Sequence, residues 1–224
     1  MHPIVAAAKK TTVMTTNSTT KFYTGVAATI EKLQFDTLTA TRLKILQPLI
    51  DYIQNEVNLK NDILLNLICT HNSRRSHLAQ IWLQTAATYY NIKNVYCYSG
   101  GTQATELFWA VATTLQNQGF LINQLSTEKN SVYAIKFAAN EPAVIGFSKK
   151  YDAAFNPSNN FAAIMTCTDA DLGCPIVAGA KTRIAIPFND PKIADNTPQQ
   201  AAKYAERSVQ IATEMFYVLS KITL

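Results

Sequence analysis

Residues 67–80, with the sequence LICTHNSRRSHLAQ, decide the fold expected for this chain. An apolar run, DILLNLIC (62–69), stops at Cys69, and a polar loop with two arginines follows it. Short continuous apolar runs are typical of strands buried on both faces, whereas SHLAQIWLQTAATYY, from Ser76 onward, has the apolar spacing of a helix. The stretch therefore predicts a buried strand, a loop and a helix, with a cysteine at the carboxyl end of the strand.

The same alternation continues along the chain. NVYCYS predicts a second strand, and TQATELFWAVATTLQNQG predicts a second helix closed by Gly119. FAAIMTC predicts another buried strand, which ends at Cys167. The long closing helix is expected to start with Thr197 as its cap and Pro198 in its first turn. Strands that alternate with helices indicate an α/β fold, in which a parallel sheet has helices on both faces.

Periodicity divides the chain into parts. Residues 1–20 are rich in small residues and threonine and are predicted to be a disordered leader, and residues 21–60 are predicted to form an N-terminal helical extension. Pro48 is expected to mark a kink or a break there. Residues 61–224 are predicted to form the catalytic domain, and a period near two predicts a β-hairpin insertion at 130–150.

Composition narrows the class of protein. The chain has 224 residues, a formal net charge of +5 and scattered basic residues, which disfavours nucleic-acid binding and slightly favours small anionic ligands. Four cysteines at irregular spacing do not suggest a disulfide framework, so a reducing, cytoplasmic location is expected. No apolar run approaches the ~18 residues of a membrane span. No CxxC pair occurs and there are only three histidines, so no metal site is expected.

The loop after Cys69 has the composition of an anion site. Ligands of open parallel sheets bind beyond the carboxyl ends of the strands. Backbone N–H groups of the loop and the start of the helix, with about half a positive charge, can surround an anion there. Arg75 can hold a tetrahedral oxyanion through two hydrogen bonds, and the positive field favours the nucleophilic thiolate of Cys69. The residues expected around the oxyanion are Thr70, His71, Asn72, Ser73, Arg74, Arg75 and Ser76.

The sequence CTHNSRRS closely resembles the phosphate-binding loop of the low-molecular-weight protein tyrosine phosphatase superfamily. YSGGT, an Asp-Pro and a closing helix follow in the family's order, and the resemblance covers about residues 61–222. It implies a four-stranded parallel sheet flanked by helices. It also implies that Cys69 is the nucleophile, that Arg75 grips the anion, that Ser76 steadies the thiolate and that Asn72 holds the shape of the loop.

A second segment, MTCTDADLGCPIVAGA, resembles the redox segment of thioredoxin-coupled arsenate reductases. In that branch the first cysteine attacks arsenate, the second expels arsenite and the third moves the disulfide outward. The resemblance therefore implies a relay through Cys69, Cys167 and Cys174, with a flexible TDADLG between the last two. No bound cofactor is expected, and thioredoxin or a similar thiol donor is the implied reductant.

Two alternatives remain open. A phosphatase of the same superfamily would hydrolyse aryl phosphates or phosphotyrosine through Cys69, with Asp190 of FNDPK as general acid. Tyrosine usually follows the Asp-Pro in such phosphatases, but Lys192 follows here, and this departure favours the reductase branch. The second alternative is a non-enzymatic protein that senses anions or redox state.

Three further side chains near these motifs carry expectations. Arg74 occupies a position where many relatives have a cysteine, and its guanidinium is expected either to strengthen the field on the anion or to point to solvent. His77 is expected on the exposed side of the first helical turn. Cys97, in the middle of a predicted strand, is expected to be a buried structural thiol.

Overall fold

The computed structural model describes residues 20–173 and 176–224. The predicted leader, apart from Thr20, and Cys174 lie outside the described residues. Seven strands are described: β1 (Ile63–Cys69), β2 (Val95–Gly101), β3 (Leu121–Gln124), β4 (Tyr133–Lys136), β5 (Val144–Gly146), β6 (Phe161–Met165) and β7 (Ala180–Ala185). The α-helices described are α1 (Thr24–Ile30), α2 (Ala40–Asn58), α3 (Arg75–Tyr89), α4 (Trp109–Asn117), α5 (Thr168–Gly173) and α6 (Gln200–Ser220), with short 3-10 helices at Phe35–Thr37 and Pro191–Ala194.

Four strands form a parallel sheet in the order β2, β1, β6, β7. The expected α/β fold with a four-stranded parallel sheet is therefore confirmed. In this register Cys69 lies opposite Gly101 of β2, and Ile68 lies opposite Met165 of β6. Because Cys167 follows Met165 by two residues, the two cysteines emerge at the same edge of the sheet from neighbouring strands.

The two faces of the sheet are covered unequally. Ile63, Leu65 and Leu67 of β1 belong to the large hydrophobic cluster that also contains the buried faces of α1, α2, α3, α4 and α6. Because side chains alternate along a strand, Ile68 faces the other way, into a smaller cluster. Among the described helices only α5 contributes to that smaller cluster, through Ala170. Helices lie on both faces as expected, but one face has most of them.

Trp82 connects α3 to α6 inside the large cluster. Its ring is fully buried and stands edge-on to Phe120, with 4.9 Å between the ring centroids. Its Nε1 donates a hydrogen bond of 2.9 Å to Ser208 Oγ of α6. A buried indole needs a partner for its N–H, so this bond makes the large apolar ring compatible with the core.

The N-terminal helices are part of this core. Val26 of α1 and Leu46 and Ile53 of α2 are fully buried in the large cluster. The helix α2 continues through Pro48, so the expected break does not occur. An internal proline costs about 3 kcal/mol. Burial of neighbouring residues, including Leu49, offsets this cost because each large apolar side chain contributes about 1.5–3 kcal/mol.

The insertion and the last helix differ in detail from the expectations. The expected hairpin is present as the antiparallel pair β4 and β5, but β3 also pairs with β4, so the insertion has three strands. The sequence patterns did not predict β3 or β7. The expected cap of the last helix was wrong: α6 begins at Gln200, and the Thr197 hydroxyl instead accepts a hydrogen bond from Gln199 N in the preceding turn.

Gly119 provides a test of how the N-terminal helices dock. Its φ is +96°, and an added Cβ would lie 2.3 Å from the backbone carbonyl carbon of Gly25 in α1. We expect Gly119→Ala to lower the free energy of unfolding by about 2–3 kcal/mol, because both the left-handed backbone and the close approach exclude a side chain. Urea unfolding followed by circular dichroism measures the change. The matched control is Gly173→Ala, since nothing lies within 4 Å of a Cβ there; equal losses in the two variants would contradict the docking argument.

Candidate functional site

The loop that follows Cys69 is held close to β2. A Cβ on Gly101 would lie 2.7 Å from Asn72 N, so only glycine lets the loop pass over this strand end. The chain then enters α3 at Arg75, after Arg74 as the N-cap. The second glycine of YSGGT therefore has a steric role in placing the loop.

The carbonyl groups of the loop are tied to the surrounding chain. Thr70 O accepts from Gln103 N at 2.8 Å, His71 O from Ser148 Oγ at 2.8 Å, and Ser73 O from Phe108 N at 3.0 Å. In the described part of the chain, no hydrogen bond is donated by the backbone N–H groups of residues 70–74. These carbonyl groups of the loop thus have hydrogen-bond partners, whereas its N–H groups remain available as a row of donors. A row of free N–H groups is the arrangement that binds an anion.

A chain of hydrogen bonds reaches the sulfur of Cys69. Lys149 N donates to Asn72 Oδ1 at 2.9 Å, and Asn72 Nδ2 donates to Ser76 Oγ at 2.9 Å. Ser76 Oγ lies 3.1 Å from Cys69 Sγ. The serine oxygen accepts from Asn72 and keeps its own proton, so it can donate to the sulfur and stabilise negative charge that develops there. Asn72 has a φ of +43°, a conformation that asparagine tolerates better than most residues.

Arg75 connects the loop to Asp190. Its Nη1 donates to Phe188 O at 3.0 Å and its Nη2 to Asp190 Oδ2 at 2.6 Å. The other oxygen of Asp190 accepts from Lys192 N at 3.0 Å. Arg75 Nε is buried and has no partner among the described residues. A buried donor without a partner is costly, so this N–H fits an oxygen of a bound anion.

Arg74 behaves in neither of the two expected ways. Its Nε donates to Tyr204 OH at 2.6 Å, its Nη2 to Asp195 Oδ2 at 2.6 Å, and its guanidinium lies 4.1 Å from the ring centroid of Phe108. Burial raises the pKa of Tyr204, whose hydroxyl donates to Asp195 Oδ1 at 2.7 Å. Arg74 is therefore a strut between the loop and α6, and its charge is neutralised locally.

Cys167 lies beside the loop. Its side chain is fully buried, and its Sγ is 3.5 Å from Thr70 Oγ1. Ala170 N donates to the same sulfur at 3.4 Å. Cys69 and Cys167 also share the smaller hydrophobic cluster. The structure thus brings Cys69, Thr70 and Cys167 together, while the TDADLG segment is the helix α5 and not the expected flexible loop.

The side chains of His77 and His71 lie in different environments. The expected exposure of His77 was wrong: it is fully buried, and its Nδ1 lies 3.2 Å from Ser99 Oγ. Burial, with a smaller contribution from the charge of Lys149, lowers the pKa of His77 to about 3. The side chain of His71, by contrast, is exposed, and its carbonyl is one of the groups that hold the loop. Cys97 is buried as expected, and burial raises the pKa of its thiol.

Lys149 is the main residue near the loop that the sequence patterns did not single out. It is 4 % exposed, and its ammonium lies 4.4 Å and 5.2 Å from the ring centroids of Phe147 and Phe155. Burial lowers its pKa to about 8. No local signal predicts this position, because a lysine after an apolar strand usually points to solvent.

Residues 20–173 and 176–224 contain no group of three histidine, cysteine, aspartate or glutamate side chains placed to hold a metal ion. None of the helices in these ranges is both long enough and apolar enough to cross a membrane.

No protein-family model matches this chain, and no curated protein matches it. It is similar to several solved structures. The YwlE arginine phosphatase from Geobacillus stearothermophilus is 15% identical, with a TM-score of 0.44 over 71% of this chain and 92% of the phosphatase. An arsenate reductase in the phosphate-binding state is 13% identical, with a TM-score of 0.46 over 72% of this chain and 99% of the reductase.

A third solved structure covers more of this chain. The thioredoxin-dependent arsenate reductase from Corynebacterium glutamicum is 17% identical, with a TM-score of 0.40 over 88% of this chain and 82% of the reductase. The similar proteins are phosphatases and arsenate reductases, the two kinds of enzyme that the resemblance of the loop led us to expect. Likenesses of this strength do not choose an activity, so the choice depends on the geometry of the loop and its cysteines.

Ser76 provides a test of the hydrogen-bond chain. We expect Ser76→Ala to slow alkylation of Cys69 by iodoacetamide at pH 7 about fivefold, because one hydrogen bond to the thiolate, worth about 1 kcal/mol, is lost. Mass spectrometry of the modified peptide measures the rate. Ser208→Ala is the control, since its hydroxyl bonds Trp82 and Gln118 far from the loop; an unchanged rate in Ser76→Ala would remove the role assigned to Ser76.

His77 provides a test of pH dependence. Its pKa in the folded protein, about 3, is below the 6.5 of an ordinary histidine, so the unfolded chain binds a proton that the folded chain does not. Its contribution to stability is complete above pH 6.5 and is lost as the pH falls toward 3, at up to about 1.4 kcal/mol per pH unit. Between pH 6 and pH 4, we expect the free energy of unfolding, measured with urea, to fall less steeply in His77→Gln than in the unsubstituted protein. Parallel curves for the two proteins would contradict the burial of a neutral imidazole.

Proposed function

We propose that this protein reduces arsenate to arsenite through a relay of Cys69, Cys167 and Cys174. The observation that supports this choice is the position of the Cys167 thiol, which lies 3.5 Å from the hydroxyl of Thr70 in the anion-binding loop. A phosphatase mechanism requires no second thiol at this place. A reductase mechanism requires one, because a thiol must take over the sulfur–arsenic adduct.

Each step of the relay balances. The Cys69 thiolate attacks arsenic, an S–As bond forms, and one oxygen leaves as hydroxide. The Cys167 thiolate then attacks Cys69 Sγ and a Cys69–Cys167 disulfide forms; the S–As bond breaks, its electron pair stays on arsenic, and As(V) becomes As(III), released as arsenite, while the two thiols are oxidised. Cys174 next attacks Cys167, which frees Cys69 and leaves a Cys167–Cys174 disulfide. A dithiol donor, thioredoxin or a similar protein, reduces that disulfide, and no bound cofactor is needed.

The surroundings of the sulfur atoms favour thiol attack over hydrolysis. Cys69 is 3% exposed and Cys167 is fully buried, and both lie in the smaller hydrophobic cluster. A second thiol therefore lies beside the loop, next to the residue that follows the nucleophile, where it could take over an adduct on Cys69. The hydrogen bond from Ala170 N also supplies a donor to Cys167 Sγ, which stabilises negative charge on it.

The loop supplies the binding half of the reaction. The unpaired N–H groups of residues 70–74 and the buried Arg75 Nε are donors for the oxygens of a tetrahedral anion. These donors are fixed before the anion arrives, because the loop carbonyls are tied to the surrounding chain. Arsenate, phosphate and phosphate esters share this geometry, so anion binding alone does not select arsenate.

Phosphate ester hydrolysis is the second candidate, and the position of Asp190 favours it. This carboxyl group lies 2.6 Å from Arg75 Nη2, next to the anion loop, where a general acid for the leaving oxygen would be needed. Its side chain is 38% exposed, so a substrate can reach it. A non-enzymatic role in sensing anions or redox state is the remaining alternative, and it predicts neither activity.

The test is a pair of assays on the reduced full-length protein. We expect arsenate-dependent oxidation of NADPH in the presence of thioredoxin and thioredoxin reductase, and its loss by more than about 100-fold in Cys167→Ser and in Cys174→Ser, because the disulfide steps need both sulfurs. Phosphate binding, measured by calorimetry, should remain within about twofold in both variants. Cys97→Ser, a buried cysteine outside the relay, is the matched control.

Three other outcomes would decide against the relay. Hydrolysis of p-nitrophenyl phosphate that needs Cys69 and Asp190 but neither later cysteine, with no arsenate turnover, would make the protein a phosphatase. Anion binding without either activity would favour the sensing role. Full arsenate turnover in Cys174→Ser would exclude the third step.

A further inference from the structure

An open depression of about 690 Å³ adjoins the anion loop, on the side of Asp190. We call it the basic depression. Its residues come from the segment that follows β7 and from the first turns of α6: Asn189, Asp190, Lys192, Ile193, Lys203 and Arg207. Neither the relay nor the phosphatase mechanism uses the three cationic side chains among them.

The basic depression is joined directly to the anion loop. Ile186 N and Phe188 N donate to Met165 O and Thr166 O, so the chain after β7 continues beside the end of β6. Two residues later, Asp190 Oδ2 bonds the guanidinium of Arg75. One wall of the basic depression is therefore the ion-pair partner of the arginine expected to grip the substrate.

The charges around the basic depression do not cancel. Lys203 has its own carboxylate, with 2.7 Å between its Nζ and Glu206 Oε2. Arg207 lies 3.7 Å from the other oxygen of Glu206, which is 57% exposed. Lys192 has no carboxylate partner within the described residues. The carboxylate of Asp190 in the lining is paired with Arg75, so Lys192 is the cation there without a carboxylate partner in the described chain. Arg207 has Glu206 at 3.7 Å and the charge of Glu214.

Arg207 gives independent support for an anionic ligand. Its side chain is 8% exposed, and its Nε is buried without a partner in the described chain. Burial lowers its pKa, and the like charges of Arg75 and Arg42 lower it further, against the opposing effect of Glu206 and Glu214. A buried guanidinium with an unused donor, whose pKa burial lowers, is stabilised when an anion binds next to it.

We propose that the basic depression is a second binding site for a tetrahedral oxyanion, with Lys192 and Arg207 as its main ligands. It holds the anion before transfer past Asp190 to the loop. This inference rests on the proposed function only in that the loop is the destination of the same anion. The depression is open and Lys192 is exposed, so the anion keeps much of its water and binds more weakly than in the loop.

A titration with inorganic phosphate tests the site without any turnover. In the reduced protein labelled with nitrogen-15, the backbone amides of residues 70–75 report on the loop, and those of Asn189, Asp190, Lys192 and Ile193 report on the basic depression. We expect the chemical shifts of each group of amides to saturate with phosphate concentration, at a different midpoint for each group. Lys192→Glu should raise the dissociation constant of phosphate about tenfold at the basic depression and less than about threefold at the loop. Only the depression loses a side chain that binds the anion directly.

The matched control is Lys93→Glu, which makes the same change of charge at an exposed position near the amino end of β2, opposite the loop. It should leave both curves unchanged. Arg207→Lys, which keeps the charge but not the Nε donor, should weaken the depression curve while thermal unfolding shows that the protein stays folded. Phosphate shifts confined to residues 70–75, or equal effects of Lys93→Glu and Lys192→Glu, would overturn the proposal.

Kinetics distinguish this proposal from the proposed function. If the protein reduces arsenate, Lys192→Glu should raise the arsenate KM about threefold to tenfold and change kcat by less than about twofold. The reason is that the basic depression affects the delivery of arsenate to the loop and not the thiol steps that follow. An unchanged KM would overturn the capture role. Two phosphate curves in a protein that reduces no arsenate would reject the proposed function and leave the second anion site in place.

Discussion

The hydrogen bonds that run from Lys149 N through Asn72 and Ser76 to the sulfur of Cys69 are the constraint on which the site depends. Each group in this chain is buried, so a missing partner would leave a polar atom unsatisfied at a cost of about 1–3 kcal/mol. The amide of Asn72 donates to Ser76 Oγ, which leaves the hydroxyl proton of Ser76 available for the sulfur. A buried cysteine sulfur with a hydroxyl beside it is thereby combined with a loop of fixed shape.

Parts of the chain outside the loop maintain this shape. Ser148 and Lys149 follow the insertion strand β5 and bond the loop at His71 and Asn72. On the other side, Asp190 and Asp195 lie at the two ends of the 3-10 helix Pro191–Ala194, and each one pairs with an arginine of the loop. The insertion and this short helix therefore act as supports of the anion site. Substitutions in either segment are expected to reach Cys69 through these bonds.

The balance between the two candidate chemistries depends on what can reach an adduct on Cys69. Cys167 belongs to the same small hydrophobic cluster as Cys69, so a second thiol lies beside the place where an adduct would form. Asp190 is the group that would help a leaving oxygen, but its carboxylate is bonded to Arg75 and to Lys192 N. These contacts support the proposal of thiol transfer, and the proposed second anion site would give the protein a means of collecting a small anion from solution.

The sequence by itself determined the strand, loop and helix around Cys69, the α/β alternation and the placing of cysteines at strand ends. These features depend on local periodicity and on spacing over a few residues, so they can be read from one stretch at a time. Only the tertiary structure decided the strut from Arg74 to Asp195 and Tyr204, the burial of His77 and the support from Lys149. The partners in these contacts are 22 to 130 positions apart along the chain. No local pattern encodes such pairs, because they meet only after the sheet has placed its strand ends side by side.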